Sequence, residues 1–74
     1  MFYKVFVVAN NTERVYNVHA NNRAEAIQNA INEELSVNRT PRYLIEIKGA
    51  YKEDKFNQMN EREYENFKYE VFNF

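Results

Sequence analysis

Apolar positions recur every second residue along Tyr3, Val5, Val7 and Ala9, and the intervening set, Phe2, Lys4, Phe6 and Val8, carries bulky rings of its own. Side chains of an extended chain point alternately to opposite faces, so this stretch predicts a first strand with a dry face and a mixed aromatic one. Asn10-Asn11-Thr12 follows, a turn-forming cluster whose asparagines tolerate positive φ, which predicts a hairpin. In the return strand, Val15 to Ala20, the residues Tyr16, Val18 and Ala20 share one face and Val15, Asn17 and His19 the other.

The period then changes. Asn22 is placed to cap a helix, Glu25 completes a capping-box-like pattern, and Ala24, Ile27, Ala30, Ile31 and Leu35 recur at helical spacing. Arg23, Gln28, Asn29, Asn32 and Glu33 take the wet side, and the helix should stop near Ser36, ahead of Asn38 and Pro41. Arg42 to Lys48 reads as a third strand, with Tyr43, Ile45 and Ile47 on one face and Leu44, Glu46 and Lys48 on the other. Gly49, the only glycine, marks a bulge or the strand's end.

Ala50 to Gln58 has no clear period and reads as a loop. Asn60 and Glu63 repeat the cap pattern and predict a short second helix near residues 60–66. Phe67 to Phe74 alternates as a final strand on its aromatic and β-branched content, although Tyr64, Phe67 and Val71 also fit helical spacing. The expectation is an α+β fold over a single domain, residues 1–74. A mostly antiparallel four-stranded sheet in the order ββαββ would pack on one helix.

At 74 residues a single core supplies little net stability, so a homodimer is a natural expectation. The absence of cysteine removes a disulfide framework, a thiol nucleophile and cysteine-ligated zinc. A net charge of −1 lacks both the basic excess of a backbone-driven nucleic-acid binder and the acidic excess of a DNA mimic. The apolar N-terminal run is too short to span a bilayer and lacks the charged lead and long apolar region of a signal peptide, which points to a soluble, cytoplasmic protein away from membranes.

Candidate chemistry is sparse. His19 is the sole histidine, with nothing beside it in sequence to make a metal cluster or an acid–base pair. Glu33 with Glu34, and Glu61, Glu63 and Glu65, read as carboxylates on solvated faces. One glycine cannot build a phosphate loop or a dinucleotide fingerprint. No catalytic, cofactor-binding or metal-binding residue is assigned, and the chain reads as non-enzymatic.

Because one helix covers one sheet face, the other face becomes the functional clue. Phe2, Phe6, Val8, Leu44, Phe72 and Phe74 would form an apolar patch there, with Lys4, Glu46, Lys48, Lys68 and Glu70 mixed in. Together with Tyr51, Phe56 and Tyr64 of the charged aromatic segment, these rings are the candidate partner-binding residues, for a second copy or for a different protein. On that expectation, charged residues at Phe6 and Phe72 leave the domain folded and abolish capture. An alternative is that the C-terminal segment or the Tyr51 to Met59 loop folds back over the rings, since so small a chain needs core. Single-stranded nucleic acid stacked on the same rings is a further alternative, weakened by Glu46 and Glu70 on the same face.

The run Val18-His19-Ala20-Asn21-Asn22-Arg23-Ala24-Glu25-Ala26-Ile27, with Ala30 after it, resembles the strand-hinge-helix pattern of small phage and mobile-element proteins of the DpnD/PcfM-like family. The resemblance covers little more than the N-terminal half. It implies a phage-type protein that works by occupying a host protein's surface, as anti-CRISPR and other anti-defence inhibitors of this size do.

Overall fold

The computed structural model describes residues 1–74. β1 (Phe2–Ala9) and β2 (Thr12–His19) form an antiparallel hairpin whose register is unbroken from Phe2 opposite His19 to Ala9 opposite Thr12. Asn10 and Asn11 close it at φ 49° and 64°. Two successive left-handed residues make the mirror-image turn whose twist matches that of paired strands, and asparagine bears that conformation better than most side chains.

α1 (Arg23–Glu33) starts as its cap predicts: the Asn22 side chain accepts the Glu25 N–H at 2.8 Å. The Glu25 carboxylate takes Asn21 Nδ2 at 3.4 Å instead of returning to the Asn22 amide, so the box is half made. The buried stripe is Ala26, Ala30 and Ile31 with Ile27 half-buried, while Ala24 and Leu35 are exposed, contrary to the predicted stripe. The helix widens into a π turn over Glu34–Asn38 and stops at Arg39, which is left-handed at φ 54°. That widened turn carries Glu34 to the protein interior in place of Leu35.

After Pro41 and a short 3-10 turn (Arg42–Leu44), β3 (Ile45–Lys52) pairs antiparallel with β1, giving the strand order β2-β1-β3. The third strand therefore starts at Ile45 instead of Arg42 and continues past Gly49 to Lys52, leaving Tyr43 outside it and exposed. Phe6 faces Gly49 and Val7 faces Ile47, so the chain bulges at Lys48 as the glycine suggests. Glycine beside the bulge leaves room for the Tyr51 ring: a Cβ there would lie 2.8 Å from its Cε2 and would require the ring to move.

A 3-10 turn (Glu53–Phe56) leads to α2 (Glu61–Phe72), and the sheet has three strands, not four. The predicted final strand, Phe67 to Phe74, is mostly helix. Asn60 and Glu63 form a complete capping box, with the Glu63 N–H on Asn60 Oδ1 at 2.8 Å and the Asn60 N–H on Glu63 Oε1 at 3.3 Å. Once started, the helix presents Tyr64, Phe67, Val71 and Phe72 on one side, and all four pack on the sheet's second face around Phe6 and Phe56.

The sheet is thus sandwiched. On one face Tyr3, Val5, Val7, Ala9, Ile45 and Ala50 pack with Ala20 and with Ala26, Ala30 and Ile31 of α1; on the other, α2 closes over Phe6. The small alanines let α1 approach closely, whereas the second face is filled by rings. Phe6 meets Tyr51, Phe56, Phe67 and Phe72 at centroid distances of 5.9, 6.2, 6.1 and 5.6 Å, mostly edge to face.

Candidate functional site

The open aromatic face predicted opposite α1 is a second core. Phe6 is 0% exposed, and Phe56 and Phe72 are also buried. Leu44, Tyr51 and Tyr64 are half-buried, and only Phe2 and Phe74 of the candidate partner-binding residues are exposed. The reason is area: without α2 over them, four or five rings of a 74-residue chain would face water, and each is worth about 1.5–3 kcal/mol when buried. Charged residues at Phe6 or Phe72 would therefore unfold the domain, contrary to the sequence-based expectation.

Part of the face nevertheless remains open, at the N-terminal end of β1. There Phe2 is 59% exposed and stacks edge to face on His19 at 4.9 Å. Beside it lies a cleft of about 650 Å³ lined by Met1, Phe2, Asn17, Lys52, Glu53, Asp54 and Asn57. A shallower cleft of about 340 Å³ shares Glu53 and Asn57 with it and extends to Lys4, Phe56 and Tyr64. Lys4 stands where the two meet. Its ammonium donates to Asn17 Oδ1 at 2.8 Å and lies 5.8 and 5.7 Å from the Phe56 and Tyr64 ring centres, a geometry that holds it by cation–π attraction. Burial, followed by the nearby Glu65 charge, raises the Tyr64 pKa above its ordinary value. Both signs of charge, Lys4 and Lys52 with Glu53 and Asp54, thus line the clefts beside the Phe2, Phe56 and Tyr64 rings.

A second polar constellation was not foreseen, because Glu34 reads in sequence as a solvated carboxylate. Its side chain is fully buried. Thr40 Oγ1 donates to Oε2 at 2.5 Å, the Tyr16 hydroxyl and Asn38 Nδ2 donate to Oε1, the latter at 3.2 Å, and Arg14 Nε lies 3.2 Å from Oε1 without an aligned hydrogen bond. Asn38 Nδ2 also donates to the Tyr16 oxygen at 3.1 Å. Burial pushes the carboxyl's pKa up, but the hydrogen bonds from Thr40, Tyr16 and Asn38 and the Arg14 charge outweigh it and hold it below the usual carboxylate range. The Tyr16 phenol is pushed up to about 12, first by burial and then by the hydrogen bond to Glu34 and its charge. The carboxylate is thus ionised, saturated with donors and shut off from solvent. It ties the end of α1 to β2 and to the chain at Thr40, and is a structural lock and not an open site. The signal that could have found it is Thr40, a small hydroxyl beside Pro41, together with Tyr16 on the strand face that meets α1.

No family model, no curated protein and no solved structure matches the chain.

Proposed function

We propose that this chain is a binding protein that inhibits or modulates a host protein by direct protein–protein contact, through the surface formed by Phe2 and the adjoining clefts. The observation that carries the reading is the exposed Phe2 ring beside a cleft of about 650 Å³ whose rim bears Lys52, Glu53 and Asp54. An exposed ring next to a concavity with mixed charge has the makeup of an interface centre and rim. The strand-hinge-helix resemblance to small mobile-element proteins supports a host protein as the partner, and supports a defence component among host proteins by analogy of size. Base stacking loses ground as a reading, since Phe6 and Phe72 are enclosed.

Phe2→Glu tests the proposal, because Phe2 is exposed enough for the substitution to leave the core intact. Capture of host protein by the wild-type chain and by Phe2→Glu would be compared after circular dichroism establishes that both are folded. A partner retained by the wild type and lost with Phe2→Glu is the expected result. Identical capture by both chains overturns the assignment of this surface.

A further inference from the structure

The two outer strands of the sheet are not equivalent. β3 is interrupted by its bulge, and Arg23 Nε donates to the Ala50 carbonyl at 3.2 Å, so that edge is bent and partly occupied. β2 keeps unbroken register with β1 over all eight residues and contains no proline, glycine or lysine. Those are the devices that commonly blunt an edge.

The hairpin turn decides which backbone groups of β2 face outward. In a two-residue turn of this kind Ala9 and Thr12 are the closing hydrogen-bonded pair, so alternate residues of β2 after Thr12 aim their amides and carbonyls away from β1. The outward set is Glu13, Val15, Asn17 and His19. Two contacts agree with this alternation: the Ala20 N–H turns inward to the Met1 carbonyl at 2.8 Å, while the His19 carbonyl is met from outside by Asn29 Nδ2 at 3.2 Å.

We propose that β2 pairs with β2 of a second copy of this chain, antiparallel, about a two-fold axis through Tyr16. Facing residues in an antiparallel pair must point to the same side of the sheet, which restricts the register to those setting outward residues against outward residues. The register centred on Tyr16 engages all four of them and, with the His19 carbonyl of each copy already met by Asn29, forms about six backbone hydrogen bonds through unoccupied groups. It sets Glu13 opposite the partner's His19, and Val15 opposite the partner's Asn17. The two-fold repeats both pairs.

Hydrogen-bonding complementarity selects the second copy as occupant. Glu13 is exposed and has no ion-pair partner within its own chain. His19 is exposed too, with Met1 N 3.3 Å from its Nε2 and the Phe2 ring against it as its neighbours. An acceptor at one end of the strand and a donor at the other is the arrangement a strand needs to pair with itself in opposite directions.

Sedimentation equilibrium of the purified chain tests the pairing without any other protein, so its outcome is separate from that of Phe2→Glu. The wild type is expected at twice the 9.0 kDa chain mass. Asn17→Pro removes an outward amide while leaving the ladder to β1 in place, and is expected to be a folded monomer. Glu13→Lys replaces the acceptor that faces the partner's His19 with a donor and is expected to weaken the dimer about tenfold, and Glu13→Lys combined with His19→Glu to restore it, because Lys and Glu then face each other across the pair. These two charge variants decide the matter if Asn17→Pro does not fold. A monomeric wild type at about millimolar concentration, a dimer that survives a folded Asn17→Pro chain, or a charge swap that restores nothing would each overturn the proposal. A monomeric wild type that takes up an unrelated extended peptide along β2 would overturn the second copy as occupant.

Discussion

Replacing Glu34 by alanine is the sharpest test of the buried lock. Hydrogen bonds to a charged group are each worth about 1.5–3 kcal/mol, and Thr40, Tyr16 and Asn38 supply three of them. Against that stands a desolvation cost of several kcal/mol for the carboxylate, so the assembled cluster is worth far less than the sum of its bonds. Removing only the carboxylate is different: it strands the buried Thr40 hydroxyl and the Arg14 Nε, although the Arg14 side chain is 40% exposed and keeps much of its hydration, so the expected loss is about 2–3 kcal/mol. For a domain of this size, that corresponds to a fall in Tm of about 8 °C or more.

Urea denaturation of the wild type, Glu34→Ala and Glu34→Gln, at neutral and acid pH, measures both the size and the origin of the effect. The folded-state pKa of Glu34 lies below its ordinary value of 4.5. The stability it contributes is therefore fully present above about pH 4.5 and is lost as pH falls through the depressed folded value. Glu34→Gln, which cannot ionise, should lack that part of the acid slope. Tyr16 acts at the other end of the scale. Its raised pKa gives stability that is intact below pH 10.0 and lost as pH climbs toward about 12. A loss below about 1 kcal/mol in Glu34→Ala, or parallel acid slopes in the wild type and Glu34→Gln, would refute the account.

The second core and the strained end of α1 give two further predictions. Phe6→Ala removes a fully buried ring that touches four others and should cost about 3–5 kcal/mol in urea denaturation; retention of near wild-type stability would mean that α2 does not close over the sheet. Arg39→Gly places the permissive residue at the left-handed position and should raise stability by about 1 kcal/mol, seen as a higher urea midpoint at unchanged slope.

How much of this could be read from sequence differs from element to element. The hairpin of β1 and β2 and the start of α1 are local matters. Asparagine supplies the positive φ at positions 10 and 11, and a side-chain oxygen at Asn22 meets an amide in the next turn, so a few adjacent residues determine the outcome. The bulge near Gly49 belongs with them. Phe67 to Phe74 is different, because its rings satisfy both periods and only a partner surface chooses between them. The helix prevails there since the Asn60 box starts it, and since α2 can lay Tyr64, Phe67, Val71 and Phe72 together on Phe6 and Phe56.

The candidate site followed from that choice. Inferring an open aromatic face required knowing how many layers the fold has, which depends on α2 and not on the alternation of β1. Once α2 lies across the sheet, the exposed aromatics of the predicted face contract to Phe2 at the end of β1 and Phe74 after α2, and the clefts beside Phe2 come from the 3-10 turn after β3. Glu34 shows the same division. Its charge is written in the chain, but its burial depends on a π turn and on donors that come from β2 and from beyond the end of α1. By itself, then, the sequence determined the α+β class, the hairpin and the helix caps, because backbone geometry at named residues is a local property. Tertiary structure alone decided what lies inside, because burial is settled between segments far apart in the chain competing for the same apolar surface.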